Sequence, residues 1–191
     1  LSPRMTVRDI IAEPLEVMGL TRNRQETDER VRETAAKCRL NLEHLRRFPH
    51  AFSGGQRQRI SIARALVSGP KLVVADESVA ALDVSIQADV LNLLKELQRD
   101  LGITFMFISH DLSVVAHTCD HVAVMYLGRL VETAPTRQLF AAPLPLAHHV
   151  SWQAVVLHTA PPCPFCGEPL SVPHQRTGES LTPPPLKATA P

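Results

Sequence analysis

Apolar residues in the first third of the chain recur at helical spacing. Residues 6–18 place apolar side chains three or four positions apart, which predicts an amphipathic helix. Pro14 is expected to limit or bend this helix. A second helix is predicted over residues 27–38, and a third follows residues 52–59 along an apolar stripe that ends at Val67. This part of the chain is therefore predicted to be mostly helical.

A strand, a helix and a second strand are predicted between residues 71 and 108. Residues 72–75 form a continuous apolar run, which is typical of a strand buried on both faces. Residues 86–101 carry one apolar helical stripe, with Asp83 or Ser85 available as the N-cap. Residues 103–108 are predicted to form the next buried strand. This order predicts a parallel unit within an α/β fold.

The last part of the chain has a different character. Most of the 16 prolines follow residue 142, so helices and central strands are not expected there. We interpret residues 143–191 as a Pro-rich, extended or disordered tail. The other predicted divisions are a helical subdomain over residues 1–50 and an α/β core portion over residues 51–142.

Composition narrows the function classes. The 191 residues are 45% hydrophobic with a net charge of +1, which indicates a globular chain without an electrostatic footprint for nucleic acid or anionic membrane. Residues 22–64 hold eleven Lys or Arg against five Asp or Glu, which favours a solvated helix surface. The four cysteines are too few and too unevenly spread for a disulfide framework, which favours a reducing compartment. The sequence shows no apolar run long enough to span a membrane and no charged-then-apolar signal sequence at its start. Leu1 at the first position suggests a processed chain or a fragment.

Two groups of polar residues fall at the carboxyl ends of the predicted strands, where ligands bind in parallel sheets. Asp76 and Glu77 follow the first strand, and His110 follows the second. Adjacent carboxylates suit a Mg-nucleotide site, in which one holds the metal and the other polarises an attacking water. A neutral imidazole nearby could contact a terminal phosphate. Taken singly, a strand-end turn and a structural histidine remain the simpler interpretations.

The segment Ser53-Gly54-Gly55-Gln56 opens the third predicted helix. Ser53 and Gln56 have the spacing of a capping box, and two glycines would let a phosphate approach bare backbone N–H groups. A plain capped helix and an anion site are both compatible with these four residues alone.

Together these segments resemble the motifs of ABC-transporter ATPases. Residues 52–66 resemble the signature motif, residues 71–77 the Walker B strand, residues 80–83 the D-loop and residues 108–111 the H-loop. Residues 3–15 are similar to the oligopeptide, dipeptide and nickel importer subfamily. The resemblance covers residues 1 to about 142 and implies a partial P-loop NTPase-like domain with a parallel sheet core.

The resemblance also implies roles for individual residues. Ser53, Gly54, Gly55 and Gln56 would contact ATP phosphates across a subunit interface. Asp76 would serve Mg²⁺, Glu77 would be the catalytic base, Asp83 the D-loop carboxylate and His110 the switch histidine. Arg64 would support the signature helix rather than bind a ligand.

The implied assembly is a motor at the cytoplasmic face of the plasma (inner) membrane. Its partners would be a second ATPase subunit, membrane-spanning permease subunits docked near residues 5–50 and, indirectly, a solute-binding protein. No nucleic-acid partner is expected.

The sequence also departs from the family pattern. It contains neither the phosphate-binding loop G-x-x-x-x-G-K-S/T nor the glutamine-bearing Q-loop, both of which lie upstream of the matched region in this family. Ser78 replaces the usual Pro after the acidic pair. Cys163 and Cys166, with His174, resemble half of a zinc knuckle, although two incidental thiols are favoured.

Three functions are compatible with the motifs. The first is an ATP-hydrolysing subunit, or a piece of one, that energises the import of peptides or related solutes. The second is a truncated, non-catalytic subunit that acts only through subunit interaction, which the missing P-loop favours for the isolated chain. The third is a related ATPase of DNA maintenance, ranked last because a long coiled coil or zinc insertion is absent from the sequence.

Overall fold

A computed structural model describes residues 1–80, 82–126, 129–141 and 153–158. Two short 3-10 turns, Leu42–His44 and Pro49–Ala51, lie between the second and third helices. The helices and strands are, in chain order, α1 (Val7–Val17), α2 (Arg24–Lys37), α3 (Gly54–Leu66), β1 (Leu72–Asp76), α4 (Val84–Leu101), β2 (Thr104–Ser109), α5 (Leu112–Thr118), β3 (His121–Tyr126), β4 (Arg129–Pro135), α6 (Thr136–Ala141) and β5 (Gln153–His158).

The predicted N-terminal helices are present, and their caps explain where they begin. Thr6 accepts a hydrogen bond from the Asp9 backbone N–H at the start of α1, and the helix continues to Val17 with Pro14 inside it. Asn23 accepts a bond from the Glu26 N–H, so α2 begins three residues earlier than predicted.

The parallel pair predicted from the sequence is confirmed. β1 pairs in parallel with β2, and α4 connects them, ending at Gly102 in the left-handed conformation (φ 64°). The five strands are ordered β1-β2-β5-β3-β4. Because β5 is antiparallel to both β2 and β3, the strands β1, β2 and β3 all run in the same direction.

The expectation that the tail holds no central strand is wrong for one segment. Strand β5 lies between β2 and β3, inside the sheet. The segment contains no proline, whereas prolines flank it at positions 145 and 161. Two branched residues, Val155 and Val156, also favour a strand. The remainder of residues 143–191 lies outside the described residues, so the division into three regions stays a prediction.

Helices cover one face of the sheet. Phe105 and Phe107 of β2 and Val122 and Val124 of β3 are buried on this face, and the apolar stripe of α4 belongs to the same core. Helix α5 contacts β2 and β5, and α6 contacts β3 and β4. The described core runs without interruption from the N-terminal helices to α6, across the predicted boundary at residue 50.

The prediction that the first strand is buried on both faces is wrong. Ala75 is buried on the covered face, but Leu72 and Val74 are 51% and 56% exposed on the other. An apolar run is typical of a doubly covered strand, yet the described residues supply a layer for one face only.

The two cysteines in the described part of the chain are buried free thiols. Burial raises the pKa of Cys38 and of Cys119 to about 12, which keeps both thiols neutral.

Candidate functional site

The residue after β1 has an unusual backbone conformation. Glu77 has φ of 44°, and its N–H donates a hydrogen bond to the Ile108 carbonyl at 2.9 Å. A left-handed conformation at a residue with a side chain is disfavoured by about 1–2 kcal/mol, so the surrounding structure must hold it. The bond to β2 is one such restraint. The turn directs Glu77 toward the end of the neighbouring strand.

The structure brings Glu77 and His110 together, as expected from their positions at adjacent strand ends. Nδ1 of His110 lies 3.1 Å from Oε1 of Glu77, which is hydrogen-bond distance. Both side chains are more than half exposed, so an incoming ligand could reach them. A carboxylate and an imidazole in this arrangement can accept a proton from a bound water and orient that water.

Asp111 is a positioning residue whose role the sequence analysis did not assign. Its carboxylate caps α5 by accepting the backbone N–H of Ser113 at 2.9 Å and that of Val114 at 3.4 Å. The side-chain amide of Gln87, in the first turn of α4, donates to its other oxygen at 3.4 Å. Asp111 therefore fixes the backbone next to His110, and its position at the start of a helix was the sequence signal.

The environment of Asp111 also changes its acidity. Desolvation acts to raise its pKa, but the hydrogen bonds from Ser113, Val114 and Gln87 outweigh this effect and hold the pKa below its ordinary value. Because the pKa of Asp111 is lower in the folded chain than in the unfolded chain, its carboxylate stabilises the fold at pH values above the unfolded-state pKa. This stabilisation is lost as the pH falls through the folded-state pKa.

We expect Asp111→Ala to lower the free energy of unfolding by about 1 kcal/mol at pH 7, because the cap of α5 is lost. The difference from wild type should shrink as the pH falls below the ordinary pKa of 3.8. Urea unfolding between pH 7 and pH 3 measures it. Asp111→Asn, which keeps an acceptor without a titratable charge, is the matched control. A pH-independent difference between Asp111→Ala and wild type would contradict this account.

Asp76 is exposed at the end of β1, beside Glu77. Among the described residues, no three His, Cys, Asp or Glu side chains form a ready-made metal cluster. This donor set fits Mg²⁺, which is commonly bound by one or two carboxylates, substrate phosphates and several waters rather than by a protein cage.

The segment 53–56 forms the predicted capping box at the start of α3. Ser53 Oγ accepts the Gln56 N–H at 3.4 Å, and Gln56 Oε1 accepts the Ser53 N–H at 3.1 Å. Arg64, near the other end of the helix, pairs with Glu13 of α1 at 2.6 Å, as expected of a supporting residue. The sequence left a plain cap and an anion site open, and the capping box by itself is compatible with both.

The two glycines of this segment pack against the start of α4. A Cβ added to Gly54 would lie 3.6 Å from Leu82, whereas one added to Gly55 would lie 2.5 Å from Ile86. The side chains of Ser53 and Gln56 accept hydrogen bonds from each other's backbone N–H, and within the described residues neither side chain bonds to Asp76 or Glu77. The start of α3 therefore lies beside the D-loop segment without a direct bond to the acidic pair.

Asp83 occupies the N-cap position of α4 as expected, but its side chain makes no capping hydrogen bond. The backbone there is extended (φ −60°, ψ 147°), and the residue is exposed. Its carboxylate is thus available to a group outside the helix. The zinc ligands suggested by the sequence, Cys163, Cys166 and His174, lie outside the described residues.

Comparison with known proteins shows which family the chain resembles. Residues 1–80 match the ABC transporter family. The chain is 55% identical over 144 residues to the oligopeptide transport ATP-binding protein OppF of Bacillus subtilis, a match that covers 75% of this chain and 47% of that protein. It is 54% identical over 143 residues to the glutathione import ATP-binding protein GsiA of Pectobacterium atrosepticum, covering 75% of this chain and 23% of that protein.

Solved structures show the same architecture. CbiO1 of Clostridium perfringens, part of the ABC transporter complex CbiONQ, superposes with a TM-score of 0.64 at 29% identity, over 71% of this chain and 53% of that one. The dimeric MJ0796, a bacterial ABC transporter cassette, superposes with a TM-score of 0.61 at 28% identity, over 72% and 59%. MJ0796 has also been solved in a post-hydrolysis state bound to ADP and Pi.

The fold and the strand-end residues define a partial α/β domain of the P-loop NTPase type. Residues 1–80 belong to the ABC transporter family, and three quarters of the chain matches ATP-binding proteins named for oligopeptide transport and glutathione import. It spans about half the length of the Bacillus subtilis relative. Within the described ranges, no helix has both the length and the apolar character needed to cross a bilayer.

Proposed function

We propose that this chain supplies part of the catalytic site and the signature helix of an ATPase that energises import of peptides or related solutes. The observation that carries this proposal is the Glu77–His110 pair at the carboxyl edge of β1 and β2. The relatives of this chain are named as ATP-binding proteins of oligopeptide transport and glutathione import, which supports peptides or related compounds as the solutes.

The proposed chemistry is transfer of the terminal phosphoryl group of ATP to water. Asp76 would hold Mg²⁺, which when bound offsets the charge of the phosphates. Glu77 accepts the proton of the attacking water, and His110 orients that water and the carboxylate. The strained backbone at Glu77 and the Asp111 cap keep the two groups at hydrogen-bond distance before substrate binds.

The signature helix acts on a nucleotide bound by a second subunit. Gly54 and Gly55 present backbone N–H groups at the start of a 13-residue helix, where the macrodipole favours a phosphate, and the side chains of Ser53 and Gln56 would contact the same phosphate. None of them bonds to the acidic pair of its own chain in the described region. The exposed carboxylate of Asp83 would contact that second subunit.

The proposed setting is peripheral, at the cytoplasmic face of the inner membrane. Permease subunits would dock on the helices before residue 50, and a solute-binding protein would act through the permease. A non-catalytic role in subunit interaction is the second candidate for the isolated chain, because its sequence contains no G-x-x-x-x-G-K-S/T loop to hold the phosphates.

The test is ATP hydrolysis by two proteins. The first is this chain alone. The second, here called the hybrid, joins it to the segment that precedes the matched region in Bacillus subtilis OppF and carries the P-loop in that family. We expect phosphate release at background for the chain alone, and turnover of about 1 per second or faster for the hybrid. Background release by a folded, ATP-binding hybrid would support the non-catalytic role.

A further inference from the structure

A cleft of about 370 Å³ lies at the end of α5. Its walls come from three helices: α4 contributes Lys95, the end of α5 contributes Thr118, and the start of α6 contributes Arg137. Asp111, which lies beside His110, caps the other end of α5. A helix of seven residues is roughly 10 Å long, so the cleft is separate from the candidate catalytic site.

Thr118 carries a buried hydroxyl group without a partner. The residue is 3% exposed, and among the buried side-chain nitrogen and oxygen atoms of the described residues, only its Oγ1 lacks a hydrogen bond. Buried polar groups are almost always paired, because an unpaired group gives up its hydrogen bonds to water without replacement. Thr118 lines the cleft. A ligand seated in the cleft can therefore provide the missing partner.

The carbonyl groups at the end of α5 already have donors. Nζ of Lys95 donates to the His117 carbonyl, and Oγ1 of Thr136 donates to the Cys119 carbonyl at 2.5 Å. The Thr136 N–H donates to the Asp120 carbonyl at 2.8 Å. Because these three acceptors are occupied by donors of the protein itself, the cleft offers a ligand mainly hydrogen-bond donors.

The charged groups of the cleft favour an anion. Lys95 and Arg137 are exposed cations, and Arg137 makes no hydrogen bond or ion pair with another described residue. Asp120 is the one carboxylate among the described lining residues, so cations outnumber anions there even when His117 is neutral. A lysine ammonium has three donor hydrogens and an arginine guanidinium has five, so both can donate to a ligand. Donors that carry positive charge bind oxyanions most strongly.

We propose that this cleft binds a phosphate group, either as free inorganic phosphate or as a small phosphate ester. Lys95, Thr118 and Arg137 belong to three different helices, so their donors reach a ligand from separate parts of the wall. A tetrahedral phosphate presents oxygens in several directions, whereas the two oxygens of a carboxylate lie on one side of its carbon. The volume of the cleft is within the range of small-molecule sites. This site would exist whether or not the chain hydrolyses ATP.

The experiment is a titration of the purified chain with inorganic phosphate at constant ionic strength, followed by backbone amide NMR signals and by the melting temperature. We expect saturable shifts at residues 117–119 and a melting temperature that rises with phosphate, because a ligand that binds the folded chain stabilises it. Arg137→Gln should weaken binding about 10-fold or more, since hydrogen bonds to a charged ligand are lost. Arg129→Gln removes the same charge at the far end of β4 and should stay within about twofold of wild type.

Thr118→Val provides an independent test of the buried hydroxyl. Valine keeps the shape of threonine but removes the unpaired polar group, so without phosphate this variant should melt at or above the wild-type temperature. It should nevertheless bind phosphate about fivefold more weakly, because one hydrogen bond to the ligand is lost. Thr118→Ser keeps the hydroxyl and should bind within about twofold of wild type, even if its smaller side chain lowers the melting temperature. A hydroxyl with no contact to the ligand would leave all three affinities equal.

Absence of saturable binding below about 10 mM phosphate, or equal weakening by Arg137→Gln and Arg129→Gln, would overturn the assignment of this site. Shifts confined to residues 53–56 or 76–77 would place the phosphate at the candidate nucleotide site and would also overturn it. Phenyl phosphate distinguishes the two forms of the ligand. If it binds at residues 117–119 more tightly than inorganic phosphate, the site is assigned to an ester, and if it binds more weakly, the site is assigned to the free ion.

Discussion

Glu77→Gln in the hybrid is expected to lower ATP hydrolysis about 100-fold or more while ATP binding stays within a few-fold of wild type. The substitution preserves the length and polarity of the side chain but removes the carboxylate that accepts the proton of water. Only the attack of water on the terminal phosphoryl group, which needs this base, should become slower. Phosphate release and equilibrium binding of a fluorescent ATP analogue, measured on the same preparation, separate the two effects.

The matched control is Glu29→Gln, the same change at an exposed position of α2 far along the chain from the site. It should leave both measurements unchanged. If Glu77→Gln hydrolysed ATP at the control rate, the base role would be removed from Glu77. If it lost ATP binding instead, the carboxylate would act mainly in holding nucleotide and metal.

Much of the local structure could be predicted because its causes lie within short stretches of sequence. The capping box of Ser53 and Gln56 and the N-cap position of Asp83 each depend on residues within one helical turn. The apolar runs around residues 72–75 and 103–108 likewise predicted two parallel strands, and their shared edge placed Glu77 near His110.

The remaining features depend on partners distant in the sequence. Strand β5 pairs with β2 and β3 across more than 25 intervening residues, and the prolines around it masked its short strand-forming stretch. The exposure of Leu72 and Val74 could not be foreseen either, since an apolar run such as Leu72–Ala75 has the same composition whatever covers it. Sequence periodicity shows which residues favour burial, but it does not say which polypeptide buries them.

Gly55 illustrates a third limit, because its importance comes from a contact with another helix. The sequence suggested that both glycines let a phosphate approach the start of α3. In the structure Gly55 is buried, and a Cβ there would lie 2.5 Å from Cγ2 of Ile86, a branched side chain with little freedom to move. Gly55 therefore also sets how closely the signature helix approaches α4, whose first residues follow Asp83.

Gly55→Ala is expected to destabilise the chain by about 1–3 kcal/mol, since the added methyl group forces α3 and α4 apart. This corresponds to a fall in melting temperature of roughly 2–12 °C for a chain of this size. Gly54→Ala is the matched control because its Cβ would meet Leu82 at an ordinary 3.6 Å, and it should melt close to wild type.

The second variant that isolates the contact is Ile86→Ala, which removes the atom that the new methyl group would meet. In the double variant, the penalty of Gly55→Ala should fall to less than about half, giving a coupling energy between the two sites of about 1 kcal/mol. Thermal unfolding of the four proteins of this cycle measures the coupling. An additive result would show that Gly55 is required for backbone freedom or ligand approach rather than for helix packing, and the start of α3 would then be independent of α4.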